Sequence, residues 1–143
     1  IRGETSGGDP LLHRIEIRTD KRDQMIEITN QVQSVVLEEK LDNGIILVYC
    51  PHTTAGITIN ENADPDVVHD LLMRLDEVYP QTHPRYRHGE GNSAAHIKAS
   101  TVGSSALIPV ANGRLVLGTW QGIYFCEFDG PRRRTFFVQV LGQ

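Results

Sequence analysis

Three histidines that lie far apart along the chain, His52, His88 and His96, are the residues whose types could do the most chemistry. His88 and His96 flank Gly89, Glu90, Gly91 and Asn92 in RYRHGEGNSAAHIKAS, a stretch with little apolar side chain to bury. His52 lies upstream in YCPHTTAGITINEN, again among glycine and hydroxyl groups. Neutral imidazoles suit zinc and other borderline metals, and three of them around an open fourth position form a catalytic arrangement. The spacing matches no short motif, such as two histidines one helical turn apart. Rings on the surface or satisfied by hydrogen bonds are therefore the plainer reading. His13, His69 and His83 take that plainer reading outright.

Other residues could serve the same chemistry. Thr53 and Thr54 precede Gly56, where backbone amides can approach an anion, although such threonines also satisfy turns. Glu61 follows an apolar strand and precedes an acidic helix start. It can be a general base or metal ligand, or simply a charge complementing the helix dipole. In EFDGPRRRTFF, Pro131 enforces a turn, and strand alternation sends Arg132 and Arg134 to one face and Arg133 to the other. Guanidinium forks bind phosphate bidentately. On an acidic chain they equally form solvated edges or ion pairs, here with Glu127 and Asp129. Trp120, the single tryptophan, sits beside Gln121 at an expected hairpin end, as a stacking wall for a ring or as core.

These residues need a frame, and the composition bounds it. At 143 residues the chain makes one domain, able to bury roughly two-thirds of its unfolded surface. A net charge of -4 and pI near 5.8 argue against a nucleic-acid partner that relies on phosphate contacts. The longest apolar runs, such as GIILVYC, are too short to span a bilayer. Cys50 and Cys126 lie in apolar strand-like runs and read as buried free thiols of a cytoplasmic protein. Residues 1–12 are polar, with Gly, Ser and Pro, and read as a flexible arm ahead of a single domain over 13–143.

Within that domain HRIEIRT alternates as a half-buried strand. EITNQVQSVVLEEKLDNG places Ile28, Val32, Val35, Val36 and Leu41 at helical spacing, with Thr29 or Asn30 as N-cap and Gly44 as stop. Gly44 to Cys50 reads as a buried central strand, and Gly56 to Asn60 as a short alternating one. DPDVVHDLLMRLDEVYP is the clearest helix, with Asp64 capping, Pro65 in the first turn and Pro80 ending it. NSAAHIKASTVG fits a short helix from Asn92 to Gly103, with a strand as the alternative. After it come four strand candidates joined at Asn112-Gly113, Gln121-Gly122 and Asp129-Gly130, which together predict an antiparallel meander. The sum is an α+β domain.

Taken together, PHTTAGITINEN, HGEGNSAAHIKAS and LGTWQGIYFCEFDGPRRR resemble the YjbQ-like family, from about Ile15 to Gly142. The resemblance implies an antiparallel β-sandwich with two main helices, assembled as a homotrimer. It implies that His52, His88 and His96 converge as metal ligands, and that Glu61, Glu90, Asn92, Gln121, Arg132 and Arg134 join them in one pocket. The implied activity is thiamin-phosphate synthase-like: a pyrimidine-methyl diphosphate joins a thiazole phosphate and diphosphate leaves. In that scheme Arg132 and Arg134 neutralise the departing diphosphate, Glu61 or Glu90 handles a proton, Thr53, Thr54 and Asn92 bind substrate, and Trp120 with Gln121 walls the ring. The ligand set favours zinc, while diphosphate chemistry usually employs magnesium. That mismatch leaves room for a metal-dependent hydrolase or a non-catalytic, trimeric phosphometabolite-binding protein.

Overall fold

The architecture comes from a computed structural model that describes residues 12–142. The expected arm lies outside the described residues, apart from Leu12, which already belongs to a strand. In chain order the elements are β1 (Leu12–Arg18), β2 (Gln24–Glu27), α1 (Thr29–Glu38), β3 (Gly44–Tyr49) and β4 (Ala55–Glu61). They continue as α2 (Pro65–Val78), α3 (Ser93–Val102), β5 (Ser105–Ala111), β6 (Arg114–Leu115), β7 (Gln121–Glu127) and β8 (Arg133–Gly142). The fold is mixed α+β, with three helices rather than two among the described residues. NSAAHIKASTVG is the third, a helix and not a strand.

The strands form two antiparallel sheets, one in the order β1-β8-β3-β5-β6 and one in the order β2-β7-β4. A single hydrophobic core draws Ile46 and Val48 of β3 and Phe136, Val138 and Val140 of β8 together with Ile57, Ile123 and Phe125 of the smaller sheet. Helix α1 adds Val32, Val35 and Val36 to it. Alternation along β7 sends Tyr124 and Cys126 the other way, where Phe128, Ala95, Ala99 and the half-buried Val68, Leu72 and Leu75 pack. Helices α2 and α3 therefore cover the outer face of the three-stranded sheet. Both cysteines are free and buried, and burial pushes the Cys126 thiol up to about 12.

Several sequence expectations shift in physically informative ways. Asn112-Gly113 is a tight hairpin turn, with φ of 53° and 76°, joining β5 to β6. Gln121-Gly122 instead lies inside β7, and the Asp129-Gly130 turn leads from β7 to a strand of the other sheet. The expected meander is therefore broken by a crossing between sheets. Thr29 does not cap α1, because its hydroxyl accepts from the Ile123 amide at 2.9 Å and donates to Glu27 at 2.9 Å. The helix ends at Glu38, well before Gly44, and Lys40, with φ of 53°, turns the chain away just past the C-cap. β3 is central, but its outward Ile45 and Tyr49 are exposed, so the apolar run is buried on one face only.

Gly56 was expected to give an anion access to the backbone. That space is filled: a Cβ there would lie 2.4 Å from the Gly103 carbonyl oxygen, which also accepts the Ile57 amide at 3.0 Å. The end of α3 is docked on β4 through this contact. Gly56→Ala is therefore expected to cost about 1–3 kcal/mol through overpacking against rigid backbone. Gly89→Ala, where an added Cβ meets nothing within 4 Å, serves as the neutral control. Urea denaturation of the two variants beside the parent checks this. Equal midpoints for all three would refute it.

Candidate functional site

Three loops deliver polar side chains to one end of the sheets. The β3–β4 loop supplies His52, Thr53 and Thr54, the approach to α3 and its first turn supply Glu90, Asn92 and His96, and the β7–β8 connection with the start of β8 supplies Asp129, Arg132 and Arg134. Together with Pro51 they line an open cavity of about 730 Å³. His52, Thr53 and His96 also wall a neighbouring recess of about 460 Å³ beside Ser100, Gly103 and Ser104.

The floor of the cavity is a buried ion pair. Arg134 is 3% exposed and Glu127 is fully buried. The guanidinium grips the carboxylate with a fork: Nε donates to Oε1 at 2.7 Å and Nη2 donates to Oε2. Nη2 also donates to the Thr54 hydroxyl at 2.8 Å. Glu127 takes two further hydrogen bonds, from the Thr19 hydroxyl and the Asp129 amide, each at 2.9 Å. Burial alone would raise its carboxyl, but the bonds from Arg134, Asp129 and Thr19 and the Arg134 charge outweigh it and hold the group below the usual range. Thr19 carries no sequence signal for this role, since it is 108 residues from Glu127 along the chain.

Above the floor runs a chain of polar contacts. Asn92 Nδ2 donates to Asp129 Oδ2 at 2.9 Å, and Arg132 bonds the same carboxylate at 3.3 Å and the Asp129 carbonyl at 3.1 Å. Asn92 therefore spends its amide on Asp129 rather than on capping α3, and its Oδ1 is buried without a donor among the described residues. Such an orphaned acceptor calls for an N–H or O–H on whatever fills the cavity. His52 sits with Nε2 3.0 Å from the Thr135 amide and 3.1 Å from its carbonyl oxygen. In either tautomer that nitrogen is committed to main chain, and only Nδ1 is left. Burial and then the Arg134 charge push His52 below its ordinary value, so the ring is neutral at neutral pH.

The arrangement does not assemble the expected three-histidine metal centre. His88 and His96 are neighbours, with ring centroids 5.2 Å apart and planes perpendicular, and His88 Nε2 lies 3.3 Å from Glu90 Oε1. No set of three histidine, cysteine or carboxylate groups among the described residues is placed to hold one ion. The physical reason is local. Thr135 holds the His52 ring, while exposed His88 turns toward Glu90. The side chains as they stand form no three-ligand zinc site among the described residues.

Glu61, Trp120 and Gln121 also fail to join the cavity. Glu61 pairs with Gln121 at one end of the β4–β7 ladder, and Ala55 pairs with Glu127 at the other. At about 3.3 Å per residue the two ends are roughly 20 Å apart. Gln121 Oε1 accepts from the Gly118 amide at 2.7 Å, and Tyr124 donates to the Glu61 carbonyl at 2.9 Å. Trp120 is 62% exposed, so it is neither a core residue nor a wall of this cavity.

Fold and site together define an α+β protein of two antiparallel sheets with a polar, arginine- and histidine-lined cavity at the strand ends. The chain belongs to the UPF0047 protein YjbQ-like family, whose profile matches residues 13–143. It is 61% identical over 132 residues to the UPF0047 protein YugU of Bacillus subtilis strain 168, covering 92% of this chain and 100% of that one. The UPF0047 protein MJ1081 of Methanocaldococcus jannaschii is 51% identical over 92% of this chain and 95% of its own. Among solved structures, a conserved YjbQ/UPF0047 protein of Clostridium acetobutylicum superposes with a TM-score of 0.89 at 56% identity, over 90% and 99% of the two chains. A protein of Aeropyrum pernix K1 does so at 0.88 with 36% identity, over 92% and 98%.

The buried pair makes a sharp prediction. Glu127→Gln leaves Arg134 charged and unmatched, at an expected cost of about 3–5 kcal/mol, whereas replacing both residues by apolar ones of similar size costs much less. Because the folded carboxyl lies low, the parent keeps the full contribution above the ordinary value of 4.5 and loses it as pH falls through the folded value. Glu127→Gln lacks that acid limb. Urea midpoints measured from pH 7 down to pH 3 check both statements. An unchanged midpoint at pH 7 would contradict them.

Proposed function

We propose that the cavity binds a small phosphorylated metabolite and promotes departure of its phosphate or diphosphate. The carrying observation is that Arg132 and Arg134 both line it, and neither Nη1 has a hydrogen-bond partner among the described residues. Two guanidinium edges are thus available in a cleft that already fixes their positions. Formal charge limits the reading. Glu127 in the floor and Asp129 and Glu90 in the lining outnumber Arg132 and Arg134, so the site has no net positive charge with its histidines uncharged. An oxyanion is therefore held by directed donors rather than by a cationic field.

The reaction to test first is the one the family resemblance implies. In a thiamin-phosphate synthase-like transfer, a ring nitrogen of the thiazole phosphate attacks the methylene carbon of the pyrimidine. The carbon–oxygen bond to diphosphate breaks, and its electron pair leaves on the diphosphate. Arg132, Arg134 and the Thr53 and Thr54 hydroxyls would receive that charge, and the Asn92 carbonyl oxygen would accept from an amino or hydroxyl group on the ligand. Glu90, also in the lining, would orient the pyrimidine ring. The wider reading takes the two sheets as a sandwich, the assembly as a homotrimer, and the two buried free thiols as those of a cytoplasmic protein.

Titration calorimetry with inorganic pyrophosphate tests the site. Arg132→Ala and His96→Ala are expected to weaken binding at least tenfold, with little change in urea midpoint because both side chains are partly open to solvent. Binding should persist in EDTA. Loss of binding in EDTA, with stoichiometric metal found in the untreated protein, would replace this reading with the metal-dependent hydrolase. Binding without turnover of the two heterocyclic phosphates would leave the phosphometabolite-binding protein.

A further inference from the structure

His52, Thr53 and His96 wall two volumes at once, the cavity and the recess of about 460 Å³ beside it. The two differ in chemistry. Arg132, Arg134, Asp129 and Glu90 line the cavity, whereas no charged side chain lines the recess. Small residues do, among them Ala99, Ser100, Gly103 and Ser104. Thr101, next along, commits its hydroxyl to the Ile97 carbonyl at 2.9 Å, but those of Ser100 and Ser104 meet no partner among the described residues. A Cβ on Gly103 would meet nothing within 4 Å, so the missing side chain leaves space open.

Helix α3 runs past both volumes. Asn92, His96 and Ser100 recur every fourth residue and so share one face of it. Asn92 lines the cavity, His96 lines both volumes and Ser100 lines the recess. At about 1.5 Å per residue this stripe covers roughly 12 Å. The helix dipole gives it a direction: the amide end lies at the cavity and favours an anion, while the carbonyl end lies at the recess and does not. Opposite the stripe, His52 is pinned to the Thr135 amide at 3.0 Å, which leaves Nδ1 for a ligand. No phenylalanine, tyrosine or tryptophan lines either volume.

We infer that the recess is a second subsite, which takes a compact, uncharged, hydroxyl-bearing head of sugar size while the phosphate of the same ligand lies against Arg132 and Arg134. Without an aromatic wall the recess suits a head that hydrogen-bonds over one that stacks. Ligand hydroxyls both donate and accept, so they match the serine hydroxyls and the imidazole nitrogens in either tautomer. The link between head and phosphate lies at the wall formed by His52 and His96. A second phosphate on the head is disfavoured, because no cation lines the recess to meet it. The inference rests on the phosphate reading of the cavity, and not on which transfer the cavity performs.

Competition calorimetry separates the two subsites, with pyrophosphate as the bound reporter and inorganic phosphate or ribose 5-phosphate as the competitor. In the parent, ribose 5-phosphate should displace pyrophosphate about tenfold more effectively than phosphate does, through the added hydrogen bonds of its head. Ser100→Leu fills the recess and should erase that advantage while leaving pyrophosphate binding within about twofold of the parent. Ser100 is exposed on α3 and leucine is a strong helix former, so the fold is kept, which the urea midpoint checks. Ser100→Ala removes the hydroxyl without adding bulk, and should weaken ribose 5-phosphate about fivefold with no effect on phosphate. Arg132→Ala should weaken all three ligands alike. Equal potency of phosphate and ribose 5-phosphate in the parent would overturn the second subsite, as would a Ser100→Leu variant that keeps the advantage or that loses all three ligands together. If pyrophosphate does not bind the parent at all, the phosphate reading itself fails, and the second subsite with it.

Discussion

The cavity depends on one buried contact, the fork between Arg134 and Glu127. Its members are seven residues apart, but the groups that satisfy them come from the end of β1, the β3–β4 loop and the β7–β8 turn. Thr19 gives its proton to Glu127 and accepts the Arg132 amide, so the same hydroxyl fixes the carboxylate and the backbone that carries the outer arginine. Each loop that lines the cavity from this side is tied to the pair by at least one bond. A buried charge pair adds little net stability compared with an apolar pair. Its value here is positional, because the directed donors leave one arrangement of these loops satisfied.

That pairing also sets what the cavity can do. Glu127 cancels the charge of Arg134, and Asp129 opposes Arg132 while receiving Asn92. An incoming oxyanion therefore meets guanidinium edges held in place and already partly neutralised. Such a site discriminates by direction and shape more than by long-range attraction. The neutral His52 adds to this character. It is lodged on the Thr135 main chain and lies beside Arg134, whose charge opposes its protonation. The ring works as a fixed dipole in the wall rather than as a cation.

Elements whose pattern is local were legible in the sequence. Helix α2 begins where Asp64 and Pro65 place it, with Asp64 accepting the Asp66 amide at 2.9 Å, and β3, β4 and the Asn112-Gly113 hairpin follow their periodicity. What depends on distant chain was not. Thr29 is drawn off its capping role by Ile123, and Asp129-Gly130 looks like a hairpin turn while actually changing sheets. The site divides the same way. The motifs around His52, Asn92, His96, Arg132 and Arg134 mark residues that share the cavity. Glu61 and Gln121 stand in equally polar stretches, yet the β4–β7 register carries them to the opposite end. Sequence motifs identify polar residues worth keeping together, whereas strand length decides whether they meet.

Helix α3 shows how a non-local contact sets the geometry of the cavity. Its buried face is small, made by Ala94, Ala95 and Ala99, so it can sit close on the three-stranded sheet but gains little from apolar burial. Lys98, almost wholly buried, supplies what the alanines do not. Its ammonium bonds Asp23 at 2.8 Å and Asp76 at 2.9 Å, and lies 6.0 Å from the centre of the Phe128 ring. One cation thereby joins α3 to α2 and to the β1–β2 loop, and Arg22 closes the network by bonding the same two carboxylates. At the far end of the helix, Gly103 rests on Gly56 with no room for a side chain. Fixed at both points, α3 has little freedom to rotate, and His96 and Asn92 are directed into the cavity by contacts that neither residue makes.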